Sequence, residues 1–195
     1  MTVPWIEDYA ARAGLRYEPE VDERWLRVWE PYATLKTPIR YEHALHLSAQ
    51  TGALTFARFV LPAIHAQVPG APEPKGPEAW ICVAQDERLT GGRACSVSDS
   101  SGIFAEPLDL VPMPRRTTGD AAFDHAFASF SETPEDMARI TPSLRKLVLG
   151  WRVPLHFELR KGGFILAPVA LRADPPSLQW LAQSAQLFAD KAAKL

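Results

Sequence analysis

Residues 133–171 read TPEDMARITPSLRKLVLGWRVPLHFELRKGGFILAPVAL, and the change of period inside this stretch decides the fold class. Thr133–Pro134 and Thr141–Pro142 each place a hydroxyl before a proline. A threonine at the N-cap accepts from a free N–H of the first turn, and a proline just after it gives up only a donor that has no helical partner. Two short helices are expected, the second carrying Leu144, Leu147 and Val148 and stopping at Gly150. From Val153 the repeat drops to two residues: Val153, Leu155, Phe157 and Leu159 alternate with Pro154, His156 and Glu158, the pattern of a strand with one apolar face. Lys161–Gly162–Gly163 turns the chain and Phe164–Leu171 returns. Pro168 demotes this second strand to a sheet edge, because proline donates nothing to a ladder.

Working outward, Asp174 caps a last helix whose stripe is Leu178, Leu181, Ala185, Phe188 and Ala192. Upstream, Ile39, Tyr41, His43, Leu45 and Leu47 alternate along one strand face, Thr51–Gly52 turns, and Leu54, Phe56 and Arg58 begin a returning strand. Pro4–Ala13 has the helical spacing Trp5, Tyr9, Ala13 with Gly14 as its stop. Asp22–Trp29 fits a helix or an extended segment, and Pro31 ends it either way. Trp80–Ala84 and Ala94–Val97 read as further strands. The stretch QVPGAPEPKGPE (67–78) holds four prolines and two glycines, so it enters neither helix nor ladder. The expected class is α+β: antiparallel β-hairpins in a sheet packed with short helices and a C-terminal helix. Residues 1–66 and 79–195 flank the proline-rich loop as two regions, or the chain is a single domain over 1–195.

One resemblance follows from a particular line of residues. Thr118-Gly119-Asp120, Phe123-Asp124, Phe127, Thr141-Pro142-Ser143-Leu144 and the Lys161–Phe164 turn resemble a domain of uncharacterised, often membrane-tethered bacterial proteins. The resemblance spans 118–171, implies a fold and a bacterial origin, and implies no activity. No membrane span accompanies it in this sequence.

Composition excludes several function classes. Across 195 residues, 21 basic and 23 acidic side chains leave a net charge of −2, and the isoelectric point is about 6.2. A nucleic-acid binder that works by neutralising phosphates needs a basic surplus. A chain this size buries roughly 70% of its unfolded surface, enough for a core without staples. Cys82 and Cys95 are too few for a disulfide framework or a cysteine zinc site. A reduced cytoplasmic protein is expected, with one disulfide between them as the alternative. The N-terminus lacks an apolar leader, and the longest apolar run, near Phe59–Ile64, falls far short of a span. Neither membrane nor nucleic acid is an expected partner.

The residues that could carry chemistry do not assemble in sequence. Gly91–Gly92 has no third glycine and no Lys-Ser/Thr after it, so it is no phosphate cradle. The cluster Ser96, Ser98, Ser100, Ser101 has no nucleophile-elbow pattern. His43 and His46 fall on opposite strand faces, while His65, His125 and His156 are scattered. No cofactor or metal is therefore expected. An enzyme would need a site assembled by tertiary structure from His43, His65, His125 or His156 with carboxylates. Six tryptophans is a surplus for this length, and tryptophan is enriched at binding hot spots. Trp25, Trp29 and Trp180 are the candidate partner anchors, joined by the polar strand face His156, Glu158 and Arg160. An unpaired edge, at Pro168 or at Ile39–Leu47, offers an extended peptide backbone hydrogen bonds, or pairs with a second copy as a homodimer. The first expectation is a non-enzymatic bacterial module that holds a peptide or protein segment. An accessory protein of peptide natural-product biosynthesis would fit that role. The alternatives are the tertiary-assembled enzyme and a structural scaffold with every aromatic in its core.

Overall fold

The computed structural model describes residues 3–49, 51–62, 76–98, 111–168 and 171–194. Helix α1 (Pro4–Ala13) ends at Gly14, whose φ of 66° gives the left-handed turn that closes it. Strand β1 (Arg16–Glu18) and the short helix α2 (Glu23–Arg27) follow, α2 being capped by the Asp22 carboxylate, which accepts from the Arg24 N–H. The Asp22–Trp29 stretch is thus helical over Glu23–Arg27, and the Glu23–Arg27 pair at i,i+4 reinforces it. Next come β2 (Arg40–Ala49), β3 (Gly52–Val60), β4 (Glu78–Asp86), β5 (Ala94–Ser98) and β6 (Arg115–Arg116). Helix α3 (Ala121–Ala126) runs directly into β7 (Phe127–Ser131), a strand without a sequence signal of its own. Then α4 (Pro134–Ala138), α5 (Pro142–Trp151), the hairpin β8 (Leu155–Arg160) and β9 (Gly163–Pro168), and α6 (Pro175–Ala192) complete the order. Thr133, Thr141 and Asp174 accept from the N–H three residues on, as their sequence positions predict. Helix α5 runs through Gly150 to Trp151, and Arg152, at φ 54°, makes the left-handed cap instead.

The nine strands of the described residues form one antiparallel sheet in the order β1-β2-β3-β4-β9-β8-β5-β7-β6. The fold class is α+β. The sheet takes strands from both sides of the 67–78 stretch. This order corrects one expectation about edges and narrows the other. Strand β9 lies between β4 and β8 and is no edge strand, while β2 is covered on its outer side by β1 only over Ala44–His46. Pro168 is tolerated in β9 because the β4 ladder stops at Leu166, leaving Pro168 paired only with Leu155 of β8. The outermost described strands, β1 and β6, have three and two residues. Such stubs are how sheets blunt their edges.

One face of the sheet carries α1, α3, α5 and α6. Ile6, Phe123, Leu144, Val148 and the α6 stripe Leu178, Leu181, Ala185, Phe188 and Ala192 pack there on Phe56, Trp80, Phe157 and Phe164. Phe188 sits 4.8 Å from the Phe164 ring and 5.4 Å from Phe157. Burying each ring contributes about 1.5–3 kcal/mol. The other face is covered by α2 and the chain after it, with Leu26, Trp29, Tyr32 and Leu35 on Phe59, Ile81, Val83 and Ile165. Central strands are thus buried on both sides, which is why Trp80–Ala84 reads as a continuous apolar run.

Strand β2 departs from the simple alternation. A bulge shifts the β2–β3 register between Glu42 and Ala44, and His43 sits there at φ 50°. Tyr41 therefore faces the α2 side while Leu45 faces the helices. The five-residue single face expected over Ile39–Leu47 is split, because one extra residue in a strand reverses the side on which all later ones fall.

Candidate functional site

The densest polar cluster lies on the α2 face, where β8 presents His156, Glu158 and Arg160 at alternate positions. This row is not a solvent surface. His156 and Glu158 have no exposed area, and only 16% of the Arg160 side chain is exposed. The segment Glu30–Leu35 lies across them. The Glu158 carboxylate accepts from the Ala33 N–H at 3.1 Å and from the Nε atoms of Arg93 and Arg160. Both arginines also donate through Nη2 to the Pro31 carbonyl, and His156 Nδ1 bonds the Thr34 hydroxyl. Tyr32 and Tyr41 share a hydrogen bond, and Tyr41 donates to Glu30 at 2.8 Å.

Electrostatics follow from this burial. Desolvation would raise the Glu158 carboxyl, but protonated His156 and the guanidiniums of Arg160 and Arg93 hold it below the usual range. At neutral pH the arginines do this, since burial pushes His156 down to about 4 and keeps it neutral. Its Nε2 has no hydrogen-bond partner, and Glu158 Oε2 is 3.7 Å away. Every other charge of the cluster is spent on internal partners, so the row clamps the chain after α2 onto the sheet.

The remaining candidates are spread over the fold. His43 Nδ1 bonds the Tyr17 hydroxyl at 2.9 Å, and His46 bridges Glu18 and Thr55. Burial lowers both histidines. His125 is exposed on α3, and His65 lies outside the described residues. Among the described residues no three His, Cys, Asp or Glu side chains are placed to hold a metal. Cys82 and Cys95 are free and buried, and burial pushes both thiols up, away from the reactive thiolate. Ser96 and Ser129 share a buried hydrogen bond of 2.7 Å. Ser100 and Ser101 lie outside the described residues. Asp124 accepts from the Thr118 and Gly119 N–H groups, so the Thr118–Asp124 line is a turn that aligns α3.

The glycine pair has a definite structural use. Gly92 N–H donates to the buried Asp136 carboxylate at 2.7 Å, and Arg139 donates to the Gly92 carbonyl. A Cβ on Gly92 would stand 2.6 Å from Asp136 Oδ2, and one on Gly91 would stand 2.6 Å from Arg139 Cδ. The pair is the seat of α4. Gly92→Ala is expected to cost about 1–3 kcal/mol, the usual range for overpacking. A urea midpoint unchanged from the parent's would contradict this seat.

The tryptophans divide. Trp29 is buried, with the Arg160 guanidinium 6.0 Å from its ring centre. Trp25 is half-buried, 6.0 Å from the His46 ring. Trp180 is half-buried and packs edge-on against half-buried Trp151 at 5.4 Å. Two turns further along α6, Leu187 is 50% exposed. Seven residues is close to two full turns, so Leu187 falls on the same side of α6 as Trp180, and with Trp151 the three mark an apolar seam along α6. Sequence reasoning missed Trp151 and Leu187: Trp151 follows the Gly150 at which the helix was expected to stop, and Leu187 lies off the α6 stripe. Among the described residues no helix is long and apolar enough to cross a membrane.

No family model matches the chain, and no curated protein matches it. Among solved structures, it is similar to the mycobacterial trehalose monomycolate transport factor A, TtfA. The match spans 96% of this chain and 90% of that one, with a TM-score of 0.59 and 10% identity. The likeness to TtfA is therefore one of fold, and at this identity no residue role passes from TtfA to this chain.

Proposed function

We propose that this protein is a non-enzymatic bacterial accessory module that holds a peptide or protein segment on its helical face. The observation that carries the reading is the seam of Trp151, Trp180 and Leu187, two half-buried rings in contact and, two turns along the same side of α6, a leucine left half in water. Aromatic anchors flanked by apolar surface are the usual energetic centre of an interface. The shared fold with a protein named as a transport factor supports an accessory role. The polar cluster supports it too, because its charges hold the fold together. Docking by strand addition is not part of the proposal, since β9 lies between β4 and β8 and β1 already occupies the middle of the outer side of β2. Pairing of two copies would use the same helical seam.

Leu187→Glu tests this directly. An exposed position tolerates the change within about 0.5 kcal/mol, so the melting temperature is expected to hold while the partner is lost. Tagged parent and variant are used side by side to capture partners from the native host, with light scattering reporting self-association. A protein or peptide recovered in stoichiometric amount with the parent and lost with Leu187→Glu supports the proposal. Identical recoveries and identical masses for the two would overturn it and favour the scaffold reading.

A further inference from the structure

A cleft of about 320 Å³ opens between the last turns of α6 and the β2–β3 turn. Its floor is Leu47, Leu54, Ala84, Phe164 and Ala189. The space exists because small residues meet there: Ala84 on β4 and Ala189 on α6 do not fill the gap between helix and sheet. Leu54, Ala84 and Phe164 are buried, so the floor is a continuation of the core. Its mouth holds Asp86, Arg88 and Asp190. The Arg88 guanidinium grips the Asp86 carboxylate through Nε at 2.9 Å and Nη2 at 2.6 Å. This hydrogen bonding holds Asp86 below the usual carboxylate range. Asp190 is the second carboxylate acting on the same arginine. Two acids share one base, no lysine lines the cleft, and the mouth carries a net charge of −1.

We infer that this cleft binds a linear amphiphile with a short alkyl chain and a cationic head. The floor takes the chain. The head meets the exposed Asp190 carboxylate, because Asp86 is buried with both its oxygens on the Arg88 backbone and guanidinium. An anionic head would meet the Asp190 carboxylate in a mouth of net charge −1, where the charge of Arg88 is already balanced by its bidentate pair with Asp86. Size sets the chain length: an apolar cavity of about 150 Å³ holds benzene, so about twice that volume takes roughly a dozen heavy atoms. Apolar pockets with a few converging polar groups are the common form of small-ligand site. The inference does not depend on the partner seam.

The test uses the full chain with octylammonium, octanol and octanoate, each below its aggregation limit, and follows the methyl resonances of Leu54, Ala84 and Ala189 by NMR. Saturable shifts of these methyls with octylammonium are expected, with a Kd at least tenfold below that for octanoate or octanol. Asp190→Asn, an exposed substitution, is expected to reduce that preference to less than threefold. Ala189→Trp, which fills the floor, is expected to abolish the shifts at Leu54 and Ala84. The inference is overturned if the parent's methyls do not shift, if the three probes bind alike, or if Asp190→Asn leaves the preference intact. The parent and Asp190→Asn measurements decide the matter even where Ala189→Trp disturbs α6.

Discussion

Glu158→Ala is expected to destabilise the protein by about 3–5 kcal/mol, the range found when one partner of a buried ion pair is removed. The residue has no exposed area, and its loss strands three donors: the Ala33 N–H and the Nε groups of Arg93 and Arg160. Two guanidiniums would be left facing each other in a site with little water. For a chain of this length each kcal/mol moves the melting temperature by about 2–4 °C, so a fall of roughly 6–20 °C is anticipated. Glu158→Gln keeps the shape and one acceptor, and should fall between parent and alanine variant. Urea unfolding of the three proteins measures this. A loss below about 1 kcal/mol for Glu158→Ala would mean that the chain after α2 is held by its apolar contacts alone.

The second large effect is a loss of stability in mild acid, driven by His156. Facing this imidazole are Glu158 and Arg160 from its own strand, Arg93 from the chain before β5, and Thr34 and Tyr32 from the overlying segment. Burial, helped by both arginines and opposed by Glu158, lowers it from 6.5 to about 4. A base lowered in the folded state is neutral there, while the unfolded chain takes up its proton first as the pH falls. Stability therefore declines from about pH 6.5 and stops declining near pH 4, where the native imidazole also protonates. The interval amounts to roughly 3 kcal/mol. His43 and His46 are lowered too and add to the same slope. Glu158 acts in a different window: as a lowered acid it stabilises above its unfolded value near 4.5, and that contribution disappears as the pH drops through its folded one. His156→Gln should remove about one proton from the dependence between pH 6.5 and 4.5. Denaturant unfolding at several pH values reads the slope directly, and a slope matching the parent's would show that His156 is not the group responsible.

Helix starts were the most legible part of the molecule, because a cap is local chemistry. Thr133, Thr141 and Asp174 announce their helices within three residues, and the α6 stripe names its buried face without reference to anything else. The β8–β9 and β2–β3 hairpins were legible for the same reason. The neighbours of a strand were not. Pro168 argued for an edge, but a proline is harmless wherever a ladder ends, and only the β4 register reveals that it ends at Leu166. The row His156, Glu158, Arg160 was correctly placed on one face and wrongly given to solvent. Charged residues alternating with apolar ones normally mark water, and the segment that covers them lies more than 120 residues away with no periodicity to announce it. Arg93 completes that cluster from between the Gly91–Gly92 pair and β5, where nothing in the local pattern marks it. Of the tryptophans, Trp29 proved to belong to the core, while Trp180 kept a water-facing edge through its contact with Trp151.

The bulge at His43 makes β2 a strand with two parities. Before it, odd-numbered positions serve the α2 layer; beyond it, odd-numbered positions serve the helical layer. Both layers are thus indexed to a single supernumerary residue. Deleting His43 would bring Tyr41, Glu42, Ala44 and Leu45 into one unbroken run opposite Phe59, Arg58, Ala57 and Phe56, which are already consecutive on β3. Plain alternation would then keep Tyr41 and Ala44 on the α2 side and Leu45 on the helical side, the faces they hold now. Deletion of His43 is therefore expected to preserve both layers and to cost the hydrogen bond between its Nδ1 and the Tyr17 hydroxyl, and homologous chains are expected either to keep the bulge or to lack one residue between Tyr41 and Leu45.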